Sequence, residues 1–210
     1  MRGILITVEG IDGAGKTLQV NRLGQYLRSR GHVVLITYEP GATPLGGVLR
    51  EILLDHRFKD MTAPAELFLY AADRAEHVAK VLRPALEQGL TVICDRFSDS
   101  TLVYQGYVRG IEPSVLAAVN YLATEGLEPD LTVVLDIPAE EAYQRLRNAG
   151  RKADRLEALG VDFLEELRRG YLALARERAH RVVVVDALGS PEAVFERLKL
   201  AVERRLGQKG

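Results

Sequence analysis

Sulfur, basic excess and long apolar runs are what this 210-residue sequence has least of, and each shortage removes a class of protein. Cys94 is the only cysteine, so no intrachain disulfide forms, and its place in the run Val92-Ile93-Cys94 suits an inert core thiol in a reducing compartment. Lysine and arginine number 28 against 29 aspartates and glutamates, a net charge of −1. Nucleic-acid binding needs a basic face that displaces counterions, so no nucleic acid is expected as a partner. No apolar run approaches the roughly 20 residues of a membrane span, and Met1-Arg2-Gly3 leads straight into an apolar segment without the pattern of a secretion signal. The expectation is a cytoplasmic protein with no membrane partner that works on small molecules. Repeats, low-complexity segments and interdomain linkers are also missing, so one domain over 1–210 is expected.

What is present begins with Gly10-Ile11-Asp12-Gly13-Ala14-Gly15-Lys16-Thr17, which fits G-x-x-x-x-G-K-[ST] and follows the apolar run Ile4, Leu5, Ile6, Val8. A strand that turns through glycines into a helix directs backbone N–H groups into one concavity, where the helix N-terminus adds partial positive charge. Such a loop cradles phosphates. Lys16 then reaches the outer phosphates of a triphosphate and the Thr17 hydroxyl ligates the Mg²⁺ that bridges them.

Along the rest of the chain, apolar residues at helical spacing run from Leu18 to Leu27 and stop at Gly31, and His32 to Tyr38 reads as a strand. A Pro/Gly-rich loop, Glu39 to Gly47, precedes a helix carrying Arg50. A long helix is predicted from Pro64 to Gln88, with Pro84 kinking or capping its last turn. Leu90 to Asp95 reads as a strand, Arg96 to Gly110 as irregular or weakly helical, Pro113 to Thr124 as helix and Leu131 to Leu135 as strand. Ala139 to Arg147 reads as helix, Asn148 to Arg155 as a basic flap, and Val161 to Ala179 as helix. A last strand, Val182 to Val185, and a last helix, Pro191 to Leu206 capped by Ser190, complete the chain. Strands alternating with helices mean right-handed crossovers and a parallel sheet covered on both faces. Gly10, Glu39 and Asp95 all follow strand ends, where ligands of such sheets sit.

Phosphate cradles serve switches, motors and kinases. A guanine-reading N-K-x-D is not found, because Asn21, Asn120 and Asn148 are followed by Arg22, Tyr121 and Ala149. The acidic pair expected of a motor is replaced by Asp95-Arg96, and an arginine there suits a second anion, hence a phosphoryl acceptor rather than water. Asp95-Arg96-Phe97-Ser98-Asp99-Ser100-Thr101-Leu102-Val103-Tyr104-Gln105-Gly106 resembles the D-R-[YF]-x-D-S-[ST]-x-A-Y-Q-G signature of the thymidylate kinases. Glu39 to Gly46 resembles the family's E-P-G-G-T-P-L-G, Leu67 to Arg74 its L-x-x-F-A-A-D-R, and Asp154-Arg155-Leu156-Glu157 its D-R-[IFL]-E. Three positions depart from the pattern: Tyr38 stands for arginine, Tyr70 for the phenylalanine that stacks on thymine, and Val103 for alanine.

The resemblance implies an α/β three-layer P-loop kinase fold with a five-stranded parallel sheet, a short arginine-rich lid at about 147–157, and a homodimer. It implies ATP-dependent phosphorylation of dTMP to dTDP with Mg²⁺. The acceptor oxygen is already anionic, so the task is to bring two anions into line, and arginines serve it. Arg50 and Arg96 are assigned to the acceptor phosphate, Tyr70 to stacking, Arg74 to thymine O4, and Ser100, Thr101 and Gln105 to the acceptor's surroundings. Tyr104 is expected to crowd the sugar 2′ carbon and Asp12 to touch its 3′-OH. Asp95 is expected to reach Mg²⁺ through water, and Glu39 to orient Arg96 or the acceptor loop. The phosphate loop lacks arginine, so the lid must supply the charge that stabilises transfer: Arg147, Arg151 and Arg155 are the candidates, with Arg151 first. A P-loop kinase acting on a deoxynucleoside, and a nucleotide-binding ATPase or regulatory module, stay open as alternatives.

Overall fold

The computed structural model describes residues 2–150 and 154–207. Five strands, β1 (Ile4–Glu9), β2 (Val34–Tyr38), β3 (Thr91–Asp95), β4 (Leu131–Asp136) and β5 (Val182–Asp186), form one parallel sheet in the order β2-β3-β1-β4-β5. Strands buried on both faces need near-continuous apolar sequence, and Leu5, Ile6, Val8, Val92, Ile93, Val133 and Val134 are all buried. The helices are α1 (Lys16–Ser29), α2 (Pro44–Leu54), α3 (Ala63–His77), α4 (Arg83–Glu87), α5 (Ser98–Thr101), α6 (Pro113–Thr124), α7 (Ala139–Asn148), α8 (Gly160–Glu177) and α9 (Pro191–Leu206). Caps begin several of them: Thr43 accepts from Gly46 N–H, Glu112 from Ser114 N–H and Ser190 from Ala193 N–H, each with proline at the next position.

Two segments correct the sequence reading. The predicted helix from Pro64 to Gln88 is α3 and α4 joined by a π-helical turn, Val78–Leu82, just ahead of Pro84. A proline lacks the N–H that an α-turn needs, and widening the preceding turn accommodates it. The stretch after Arg96 is helical from Ser98 to Val108, α5 continuing as a π-helical turn over Leu102–Val108. Side-chain contacts on both faces of this turn hold it, with Val103 and Tyr104 buried in the larger core and Gln105 buried opposite.

One core gathers Ile6, Val8, Val133 and Val134 with Leu23 of α1, Leu167 and Tyr171 of α8 and Leu198 of α9. A second gathers Leu5, Val92 and Cys94 with Val78, Leu82, Leu86 and Phe97. Burial pushes the Cys94 thiol well above its ordinary range, as an inert core cysteine requires. The register pairs Val8 with Asp95 and Tyr38 with Asp95, so β1, β2 and β3 end level and the segments after them share one rim. Behind that rim α5 is locked down: Arg181 donates to both carboxylate oxygens of Asp99 at 2.7 and 2.8 Å, and Thr132 Oγ1 donates to Asp99 at 2.8 Å.

Asp99 is fully buried and Arg181 nearly so. Arg181→Ala leaves a buried carboxylate without its cation and is expected to lower stability by about 3–5 kcal/mol, whereas the neutral pair Asp99→Asn with Arg181→Met recovers most of the loss. Urea unfolding of the three proteins measures this, and equal losses in the single and double variants would contradict it.

Candidate functional site

The loop from Gly10 to Thr17 joins β1 to α1, and Gly15, at φ 88°, stands immediately before the first helical residue. Gly13 also has positive φ, 86°, and a Cβ there would stand 2.4 Å from the Ala142 carbonyl oxygen, so the loop packs on α7 at a distance only glycine permits. Lys16 is nearly buried and donates to Ile11 O at 2.9 Å, with Asp12 at 3.4 Å. Burial and the neighbouring Arg96 lower its pKa. Thr17 Oγ1 donates to Asp95 Oδ2 at 2.7 Å. This hydroxyl and carboxylate are hard oxygen donors, which fit Mg²⁺ held largely by phosphates and water. Among the described residues no group of three or more His, Cys, Asp or Glu is placed to hold a metal ion.

A cavity of about 1230 Å³ opens over the loop, lined among others by Lys16, Thr17, Tyr38, Asp95, Arg145 and Pro191. A smaller one of about 90 Å³ adjoins it, lined by Tyr70, Arg74, Ser100, Thr101, Tyr104 and Gln105. Asp12, Glu39, Arg50, Arg96 and Asp154 line both. The acceptor residues read from the sequence thus come together in one place, next to the loop. A third opening of about 1030 Å³, between α6 and α8, is lined by Ser98, Leu102, Val103 and Gly106 of the signature block but by none of these acceptor residues.

Arg96 has left-handed backbone, φ 71°, uncommon for a side chain of its size and held by its N–H on Val8 O at 3.0 Å. Its guanidinium donates to Asp12 at 2.6 Å, to Tyr171 OH at 3.0 Å and to Ser100 Oγ at 3.3 Å, and lies 5.3 Å over the Tyr104 ring. Burial alone would raise the Asp12 pKa, but Arg96 and Lys16 outweigh it and hold the carboxyl well below its usual range. Tyr104 OH also donates to Asp12, at 3.4 Å. Arg50 donates to Pro40 O at 2.7 Å and stays partly free on the shared wall.

Arg74 is placed differently from a free base-reading side chain. It is almost fully buried and donates to Glu39 at 2.9 Å, Thr101 at 2.8 Å, Asn120 at 3.0 Å and Phe97 O at 3.1 Å. Of its five N–H groups one is left for a ligand. Glu39 was expected to orient Arg96 or the acceptor loop; instead it binds Arg74 and, at 2.8 Å, His77 Nδ1. Gln105 donates to Glu66 at 3.0 Å, and Ser100, on the cavity lining, donates to Glu9 at 2.6 Å and accepts from Arg96 at 3.3 Å. Val103 lies in the core against Gly170.

The three arginines read as lid candidates separate. Arg155 is buried, donating to Leu53 O at 2.8 Å and to Glu66 at 2.5 Å, so its side chain is held in place. Arg147 is exposed on α7, 6.0 Å over the Tyr143 ring, and the described lining of the large cavity includes Arg145 in its place. Arg151 lies outside the described residues. Sequence reasoning missed Glu9, Glu66, Arg145 and Tyr171. Glu9 left a trace, an acidic residue ending an apolar strand, while Tyr171 at core spacing on an amphipathic helix left none.

Comparison with known proteins places this geometry in context. The sequence model of the family described as thymidylate kinase matches residues 8–198. A thymidylate kinase of Desulfovibrio desulfuricans is 47% identical over 213 residues, covering 99% of this chain and 98% of the relative. One of Pelotomaculum thermopropionicum is 46% identical, covering 97% and 94%. The crystal structure of a thymidylate kinase from Ehrlichia chaffeensis superposes with a TM-score of 0.75 at 31% identity, covering 96% of this chain and all of that one.

Asp73, beside Arg74, is fully buried; its Oδ1 accepts from Gly41 N–H at 2.9 Å and its Oδ2 has no partner. Burial and then the Glu39 charge push its pKa up to about 6. A carboxyl whose folded pKa is raised adds stability when protonated, and loses that contribution as pH rises through the folded pKa. Wild-type stability is therefore expected to fall relative to Asp73→Asn between about pH 4 and pH 6. Parallel stability curves for the two across that window would refute the assignment.

Proposed function

The chain belongs to the thymidylate kinase family, and from that premise we propose how its residues move the γ-phosphoryl group of ATP to the phosphate of dTMP, giving dTDP and ADP. The observation that carries the reading is the wall shared by the two cavities: Asp12, Arg50 and Arg96 stand between the phosphate loop and the acceptor pocket. The ATP phosphates lie on the N–H groups of Gly10 to Thr17, with Lys16 turned from Ile11 O toward the outer phosphates. The adenine end extends toward Arg145 and Pro191. Thr17 and, through water, Asp95 would hold a divalent ion, Mg²⁺ by the donor chemistry, which would supply positive charge against the phosphates.

In the smaller cavity thymine stacks on Tyr70, whose hydroxyl burial keeps neutral. The remaining Arg74 N–H meets thymine O4, and Gln105, its amide N–H on Glu66, offers its carbonyl oxygen to the imide N–H. A cytosine amino group at the O4 position sets donor against donor. Thr101 supports the base edge by holding Arg74, Tyr104 crowds the sugar 2′ carbon, and Asp12 receives the 3′-OH. Arg50 and Arg96 grip the acceptor phosphate, whose oxygen attacks the γ-phosphorus in line as the bond to the β-phosphate oxygen breaks and ADP leaves with the electron pair. No strong base is needed. The lid at about 147–157 closes over this, Arg155 fixing its base and Arg151, with Arg147 as second candidate, carrying charge to the transferring group.

The second copy of a homodimer fits the exposed face of α2, α3 and α6. Ala65, Phe68, Ala72, Ala75 and Ala79 repeat at the spacing of a helix-packing seam and are all exposed, Phe68 by 62%. Leu45 and Val48 of α2 and Val115 and Leu122 of α6 flank it, Leu122 79% exposed. The protein is assigned to the cytoplasm, where its nucleotides are found.

In a coupled assay of ADP release, dTMP is expected to be the preferred acceptor over dCMP, with thymidine giving no turnover. Thymidine used as well as dTMP would make the protein a nucleoside kinase, and phosphate release without acceptor an ATPase. Arg50→Ala should raise KM for dTMP at least about tenfold, the loss of a charge-assisted contact, with KM for ATP unchanged. In sedimentation the protein should run at twice its 23.2 kDa chain mass. Ala72→Glu, placing a charge in the seam, should halve that; a monomeric wild type would remove the dimer from the reading.

A further inference from the structure

Arg96 is supported from beneath by three elements that the sequence does not connect. Glu9 ends β1, Ser100 lies on α5 and Tyr171 on α8. Ser100 Oγ donates to Glu9 Oε2 at 2.6 Å and Tyr171 OH donates to the same oxygen at 3.0 Å, the two hydroxyls lying 2.9 Å apart. The other oxygen, Oε1, accepts from Phe97 N–H at 2.8 Å, one residue past Arg96. Each hydroxyl has a single proton. With both protons committed to Glu9, the lone pairs of both oxygens are free for the Arg96 Nη1 protons, at 3.0 and 3.3 Å.

The arrangement has a direction. Burial pushes the Glu9 pKa up to about 7 against the opposing charge of Arg96. In its ionised form the carboxylate is acceptor-only, turns both hydroxyls the same way and makes them a two-point cradle for one guanidinium nitrogen. Nη2 is tied to Asp12, which leaves Nε–H and one Nη2 proton of Arg96 for a ligand, the number that two oxygens of a phosphate take up. Packing does not call for this chemistry. Glu9 is fully buried and Tyr171 is 1% exposed, positions that a leucine and a phenylalanine would fill without a carboxylate to desolvate. The left-handed backbone at Arg96 likewise persists only where the surroundings impose it.

We propose that Glu9 and Tyr171 are positioning residues that, together with Ser100, aim the Arg96 guanidinium at a phosphate-bearing acceptor and so build part of the preference for a nucleoside monophosphate over a nucleoside. The proposal rests on the reading above that Arg96 holds the acceptor phosphate. Other charged groups face Glu9 as well, among them Asp99 and Lys16, so substitution there acts on a coupled set.

Titration calorimetry with dTMP and with thymidine, on wild type, Tyr171→Phe and Glu9→Gln, tests it. Tyr171→Phe removes one oxygen and preserves the ring in the core, so a folded protein is expected; Glu9→Gln presents donors to the hydroxyls and should reverse at least one. Both variants are expected to bind dTMP about tenfold or more weakly, the loss of a hydrogen bond to a charged group, with thymidine affinity within about twofold of wild type. Unchanged dTMP affinity in both, or a parallel fall for thymidine, overturns the proposal, the second outcome marking a merely structural role. If wild type itself does not distinguish dTMP from thymidine, it is the assignment of Arg96 that fails.

Discussion

The ion pair between Arg96 and Asp12, 2.6 Å long, joins the end of β3 to the phosphate loop, and the rest of the site is disposed about it. Two nucleotides with several negative charges each must meet, so cations have to be concentrated where they do. Concentrated cations repel one another and resist burial. Asp12, set between Arg96 and Lys16, compensates both, and its carboxyl stays ionised because both cations oppose its burial. Parallel strands that end level make this possible, since they bring the segments following β1, β2 and β3 to one rim without any contact in sequence.

Three buried glutamates organise the arginines around that pair. Glu39 grips Arg74, Glu66 grips Arg155 and Arg109, and Glu9 reaches Arg96 through two hydroxyls. Buried ion pairs of this kind add little net stability, because desolvating the charges cancels most of their attraction, but losing one partner is costly. Their effect is geometric. Glu66 in particular touches Gln105 on the lining of the smaller cavity and Arg155 at the end of the 148–155 segment, so that cavity wall and the end of this segment share one carboxylate.

The glycine loop, the five strands and the residues that gather around the smaller cavity were legible because each is local: a spacing of glycines, a run of apolar residues, a block of signature residues. What sequence could not tell was which partner each charge had chosen. Arg74 reads as a side chain free on a helix face, yet it is spent mostly on Glu39, Thr101 and Asn120, contacts made across 27 to 46 residues of chain. Arg155 reads as one of three lid arginines that could carry charge to the transferring group, and its bond to Glu66 spans 89 residues. The helical run after Arg96 was hidden for the opposite reason, its glycine and polar residues lowering helix propensity while contacts on both faces supply what propensity does not.

Selectivity at such a site follows from what the protein has already satisfied. An arginine with every donor free accepts many anions in many poses, whereas one with its donors partly committed presents a fixed remnant. Arg74 has one N–H to give and Arg96 two, and the directions are set by neighbours that are themselves held. Under the proposed assignment of Arg74 to the base and Arg96 to the acceptor phosphate, a base lacking the matching acceptor leaves that single donor desolvated, and an acceptor lacking a phosphate leaves the pair on Arg96 unfilled. Because a buried donor without a partner costs more than a formed hydrogen bond contributes, the committed contacts discriminate more strongly than free ones.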